Sequence, residues 1–183
     1  MPCTNNPPPC PGPPLPSMAH TLADMMTTAA ARGDLERLEE LLQRTPNVDA
    51  PNRFGRTPLQ VSRLGSPAIA RLLLSRGADP NLQDGCGFSV THDTARAGFQ
   101  DTMQMLLDFQ ADVNLQDNDG NTALHLAAKE GHLQMVQYLV QHTDSRLTQR
   151  NSHGDTACDV ARLYNKEKVA LWLQSNARAA DGQ

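Results

Sequence analysis

The chain has 183 residues, 13 of them proline and 4% aromatic, with a formal net charge of −4. That length suits one domain, the scarcity of large rings argues against a core built around aromatics, and the negative balance argues against nucleic acid or anionic lipid as the main partner. Cys3, Cys10, Cys86 and Cys158 form no C-x-x-C pair. With neither a secretory leader nor an apolar run of membrane length, an intracellular protein with free thiols is expected.

Residues 1 to 17 hold eight of the prolines and no charged side chain. Repeated proline removes backbone donors and forbids helix, so an extended, disordered tail is expected. Its P-x-x-P matches, such as Pro11 to Pro14, lack the basic residue that SH3-type ligands add; the first Lys or Arg is Arg32. The tail therefore reads as a linker. Met18, directly after it, is a candidate alternative initiator.

From His20 the pattern becomes helical. Gly33, Gly65, Gly98, Gly131 and then Asn165 recur at spacings of 32, 33, 33 and 34 residues. Glycine or asparagine in such a place tolerates the left-handed geometry that ends a helix. A second helix follows each landmark: Leu35 to Leu42, Ala68 to Leu74, Thr102 to Asp108, Gln134 to Gln141 and Lys168 to Leu173. Their apolar residues recur at three and four, as in Leu35-Leu38-Leu42, the one-sided stripe that packs on a neighbouring layer.

A phrase precedes each first helix from the second repeat onward: Gly55-Arg56-Thr57-Pro58-Leu59-Gln60, Gly87-Phe88-Ser89-Val90-Thr91-His92, Gly120-Asn121-Thr122-Ala123-Leu124-His125 and Gly154-Asp155-Thr156-Ala157-Cys158-Asp159. This G-x-T-x-L-H phrase and its period are the signature of ankyrin repeats. The expected fold is an all-α solenoid of five helix-turn-helix repeats joined by β-hairpin-like loops, a binding surface rather than an active site. The expected limits are a tail over 1–17, a repeat domain over 18–176 (repeats about 20–50, 51–83, 84–116, 117–150 and 151–176) and a C-terminal tail over 177–183. Gly55 to Gly65 spans 10 residues where the other repeats span 11. The first helix of repeat two is therefore predicted to shrink to about one turn.

His92 and His125 share their slot with Gln60 and Asp159, an interchange that points to hydrogen bonding with the Ser or Thr three residues earlier. No G-x-S-x-G, H-E-x-x-H or P-loop is present, so neither enzyme chemistry, metal nor cofactor is expected. Between Gly77 and Gly120 stand eight aspartates and one base, Arg96, a net −7. Such a stretch suits a basic partner, although aspartates that cap helices and close turns account for many of them.

The phrases Ala29-Ala30-Ala31-Arg32-Gly33-Asp34-Leu35, Phe54-Gly55-Arg56-Thr57-Pro58-Leu59-Gln60-Val61 and His92-Asp93-x-Ala95-Arg96-x-Gly98-Phe99-x-Asp101-Thr102 resemble the ankyrin-repeat inhibitors of the cyclin-D-dependent kinases, cell-cycle kinases four and six. The short first helix of repeat two is another mark of that family. The run Phe109-Gln110-Ala111-Asp112-Val113-Asn114 with Leu124 to Leu133 is most similar to its five-repeat 18-kDa C member. The resemblance covers about Met18 to Asn176. It implies a monomer of cytoplasm and nucleus that binds these kinases beside the ATP cleft, misaligns their lobes, opposes cyclin binding and so restrains the passage from G1 to S. Contact positions carried over by the resemblance are Asn52, Phe54, Arg63, Asp84, Asp93, Phe99 and Asp101, with Asp93 paired to a kinase arginine. Thr91, Thr94 and Ser62-Arg63 depart from the family pattern. The alternative is an ankyrin adaptor that retains a transcription factor in the cytoplasm.

Overall fold

The computed structural model describes residues 21–62 and 67–180, and these form ten helices in five pairs. The pairs are α1 (Leu22–Arg32) with α2 (Leu35–Gln43), α3 (Pro58–Val61) with α4 (Pro67–Ser75), α5 (Val90–Ala97) with α6 (Gln100–Asp108), α7 (Ala123–Glu130) with α8 (Leu133–His142), and α9 (Ala157–Leu163) with α10 (Glu167–Ala180). First helices stack on first helices from α1 to α9, and α4, α6, α8 and α10 form a second row behind them. This is the expected all-α solenoid. The proline-rich tail, the Met18 question, and Arg63 with Leu64 to Ser66 lie outside the described residues. Among the described residues no helix is long and apolar enough to cross a membrane.

Local sequence explains the pairs. Thr21, Thr57, Ser89, Thr122 and Thr156 are the N-caps of the first helices, and each closes a capping box with the residue three positions on. Gly33, Gly98 and Gly131 end three of them at φ 75°, 76° and 86°, and Asn165 after α9 has φ 57°. Left-handed geometry lets the chain reverse into the second helix without a Cβ penalty. α3 is a single turn, as the shorter spacing predicts. The limit expected after Asn176 falls inside α10, which continues to Ala180; no Gly or Pro interrupts the chain before Gly182.

The apolar interior divides within repeat three. Val90, Met105 and Leu106 join the cluster of repeats one and two, around Met26, Leu38, Ile69 and Leu73. Ala95, Met103 and Val113 join the cluster of repeats four and five, around Leu124, Met135, Leu139 and Leu173. Between them Thr91, Thr94 and Thr102 are buried. A hydroxyl-bearing layer thus separates two well-packed halves.

Candidate functional site

The loop before each first helix from repeat two onward closes on an asparagine or aspartate. The side-chain Oδ1 of Asn52 accepts from Phe54 and Arg56 backbone N–H (2.9 and 3.1 Å) and that of Asp84 from Cys86 and Phe88 (2.9 and 3.0 Å). Asp117 and Asn151 repeat the arrangement in the next two tips. Asn52 and Asp84, expected as contact residues, therefore first serve the turn itself.

Successive tips from repeat three onward are locked through backbone. Asn118 N–H donates to the Cys86 carbonyl (3.1 Å) and Ser152 N–H to that of Asp119 (2.9 Å). A Cβ on Gly87 would stand 2.7 Å from Asn118 N, and one on Gly120 2.7 Å from Ser152 N, so both tips require glycine twice over. The tip at residues 52–56 differs: a Cβ on Gly55 would meet nothing within 4 Å. Its link to repeat three is a side chain. Arg56 NH2 pairs with Asp93 Oδ2, while its Nε lies 3.3 Å from Asp84 Oδ2, close enough for attraction but not aligned as a hydrogen bond. Arg96 NH2 donates to Asp93 Oδ1 at 2.8 Å and its guanidinium also lies over the Phe88 ring.

The expected Asp93 already has partners within the chain. It lies in the first turn of α5 at a slot that holds Val61, Leu126 and Val160 in other repeats, and its side chain is only 10% exposed. It is neither solvated nor waiting for a cation; two arginines already hold it. Asp84 and Asp93 with Arg56 and Arg96 make a neutral cluster, so the acidity of repeat three is much reduced where it was expected to matter. Asp79 and Asp112 bind turn amides as well while remaining exposed, and Asp101, Asp108 and Asp119 are also exposed. The cluster borders an open groove of about 380 Å³ lined by Arg56, Gln60, Val61, Asp93, Arg96 and Ala97.

The remaining expected positions within the described residues are not among those that line this groove. Phe54 is 64% exposed at its tip, with the Arg53 guanidinium 4.8 Å from the ring centre. Phe99, 43% exposed, is the N-cap of α6, and Asp101 is exposed in that helix's first turn. They lie at the far end of α5 from the tip, about 12 Å away at 1.5 Å per residue. The expected residues among those described thus spread along the length of α5, with Asp84 and Asp93 joined through Arg56, and Asn52 bonded to Phe54 and Arg56 in the tip. Arg56 was missed by sequence reasoning. Its signal was a base in the slot held by Phe88, Asn121 and Asp155 elsewhere, immediately before the acidic repeat.

The histidines are structural, as the interchange with Gln60 implied. His92 Nδ1 accepts from Ser89 N–H at 3.1 Å, and His125 Nδ1 from Thr122 N–H at 3.2 Å. A backbone amide can only donate, so Nδ1 is unprotonated and Nε2 donates, to Asn121 carbonyl (3.1 Å) and Asp155 carbonyl (3.2 Å). Each imidazole thereby pins its own helix start to the next repeat's loop. Burial pushes both pKa values below the ordinary histidine value.

A family model described as ankyrin repeats, in three copies, matches residues 21–84 and 91–181. The human protein named cyclin-dependent kinase inhibitor 2A is 46% identical over 82 residues, 44% of this chain and 53% of that protein. The rat cyclin-dependent kinase 4 inhibitor B is 47% identical over 79 residues, 43% of this chain and 61% of that protein. Its human counterpart is 43% identical over 79 residues, 43% of this chain and 57% of that protein. The chain therefore spans between about half and three fifths of these relatives.

Proposed function

The chain belongs to the ankyrin-repeat family, and we propose that it is a protein inhibitor of the cyclin-D-dependent kinases four and six, acting by binding and not by catalysis. The observation that carries the reading is the 43–47% identity, over about eighty residues, to proteins whose names are those of cyclin-dependent kinase inhibitors. The five helix pairs support placing it beside the five-repeat member of that inhibitor family. The surface along α5 supplies what such a contact needs. Phe54 and Phe99 offer exposed aromatic area, Asp93 a directed carboxylate, and the groove between them room for a partner's side chains.

On this reading the inhibitor docks beside the ATP cleft and binds a misaligned arrangement of the kinase lobes more tightly than the active one. Only that difference in affinity inhibits, because a partner bound equally well in both arrangements shifts nothing. Asp93 takes a kinase arginine. Asp93→Asn keeps the shape and removes the charge. Breaking a desolvated charge pair costs about 2 to 5 kcal/mol of binding, and the low end is expected because the carboxylate is already partnered in the free protein. Its own fold loses the Arg56 and Arg96 pairs, at roughly 1–2 kcal/mol, between the values for exposed and buried pairs. Melting curves and cyclin-free kinase affinity measured side by side test this. Unchanged affinity with a normal fold removes Asp93 from the site. A wild-type chain that captures a DNA-binding protein and no kinase replaces the inhibitor reading with that of an adaptor.

A further inference from the structure

We propose that Arg56 is the positioning residue of this groove: it fixes Asp93 against Asp84 across the junction of repeats two and three, and leaves the Asp93 face shared with Arg96 as the one a partner's cation takes. The inference rests on the kinase-binding reading above, and the structure distinguishes the two arginines in three ways. First, their exposure differs. The Arg96 side chain is 55% exposed, that of Arg56 30%, and those of Asp84 and Asp93 13% and 10%. Second, their origins differ. Arg96 sits three residues from Asp93 on the same helix, and its guanidinium otherwise lies over the Phe88 ring of the adjoining loop, whereas Arg56 comes from the preceding tip. That tip is itself rigid, since Arg56 N–H is held by Asn52 Oδ1 and its carbonyl accepts from Asn52 N–H at 2.9 Å. Third, Arg56 is the tip's own link across the junction, beside the Gln60 side chain of α3, which donates to the Leu82 and Phe88 carbonyls. The tips of repeats three, four and five are tied by backbone hydrogen bonds and glycine contacts, while the Gly55 tip stands open and α3 beside it is one turn long.

Two carboxylates facing one junction repel each other unless a cation lies between them, and the Arg56 guanidinium occupies that place. Asp93 is thus aimed before any partner arrives, which spares the partner the cost of ordering it. Arg96, exposed and local, is then a competitor for Oδ1 that a partner's guanidinium or ammonium displaces.

The test compares full-length Arg56→Gln, Arg56→Lys and Arg96→Ala with the wild type for melting and for affinity to a cyclin-free kinase four. Arg56→Gln is expected to bind at least tenfold more weakly while still helical at the assay temperature, and Arg56→Lys to recover part of the loss. Arg96→Ala is expected to stay within about threefold of wild type. Arg56→Gln binding as well as wild type, or Arg96→Ala losing as much as Arg56→Gln, overturns the inference. Because Arg56→Gln also weakens the junction, a second measurement needs no kinase: a double-mutant cycle of Arg56→Gln and Asp93→Asn on urea unfolding. Coupling of at least threefold in the unfolding constant is expected, and additive effects overturn the inference. Failure of the wild-type chain to bind the kinase defeats the functional reading instead, and the cycle still decides whether Arg56 holds Asp93.

Discussion

Acid should unfold this protein through His92 and His125, and the structure says how steeply. Each Nδ1 faces a backbone N–H, so protonation there sets two donors against each other and breaks a helix cap. Both rings are buried, and burial lowers both pKa values. The unfolded chain therefore binds more protons than the folded one below the unperturbed value of 6.5. Stability is complete above that pH and falls as pH drops below it, until the folded histidines themselves titrate. One proton per histidine corresponds to about 1.4 kcal/mol per pH unit, so the pair contributes a slope of at most about 2.7 kcal/mol per unit. Against a total of roughly 5–15 kcal/mol that loss is readily measured. The control exists within the chain: Gln60 fills the same slot, accepting from Thr57 N–H at 2.9 Å and donating to Leu82 carbonyl at 2.8 Å. The assay is urea unfolding from pH 8 to pH 5 of the wild type and of His92→Gln with His125→Gln. The double variant should keep its stability at pH 8 and lose most of the slope. An unchanged slope in the double variant, or a wild type that gains stability on acidification, refutes the reasoning.

Thr94→Ala should stabilise by about 0.5 to 1.5 kcal/mol in the same urea assay, because the buried Thr94 Oγ1 has no hydrogen-bond partner among the described residues and the repeat places Ala127 and Ala161 in that slot; a destabilised variant would mean the hydroxyl has a needed partner. Amide exchange should be faster over residues 53–98 than over 121–173, since the first span contains the one-turn α3 and the open Gly55 tip, and the second the box-capped α7 and the ten-residue α8; the opposite gradient contradicts this reading. Removing residues 1 to 17, which are mostly proline and small polar residues, should leave melting and kinase inhibition unchanged; lost inhibition would make the tail a contact element.

The fold was legible because its signals are local and repeated. A Thr or Ser cap, a glycine or asparagine stop and a 3.6-residue apolar stripe recur at one period, and each recurrence corroborates the others. The deficit of one residue between Gly55 and Gly65 sufficed to predict a one-turn α3. The end of α10 was not legible, because no glycine or proline marks a stop between Asn176 and Ala180.

Periodicity shows which residues depart from the repeat but not how they are partnered, and the reason is physical. Repeat periodicity compares a residue with its counterparts one period away, so it flags Asp93 as an acid in an apolar slot. It says nothing about which side chain lies opposite, because that neighbour sits 37 residues earlier in a different slot of the phrase. Arg56 and Asp93 each depart from the repeat. Taken singly, each reads as an exposed charge offered to a partner. Taken together, they satisfy one another, as a partly buried charge must if it is to stay ionised. Paired departures in adjacent repeats are therefore first candidates for an internal ion pair, and a partner that uses one of them has to accommodate the other. In this chain that means a kinase arginine at Asp93 does not meet an empty carboxylate. It joins a cluster already neutral, and the free energy of binding is the difference between its contact and the Arg96 contact it replaces.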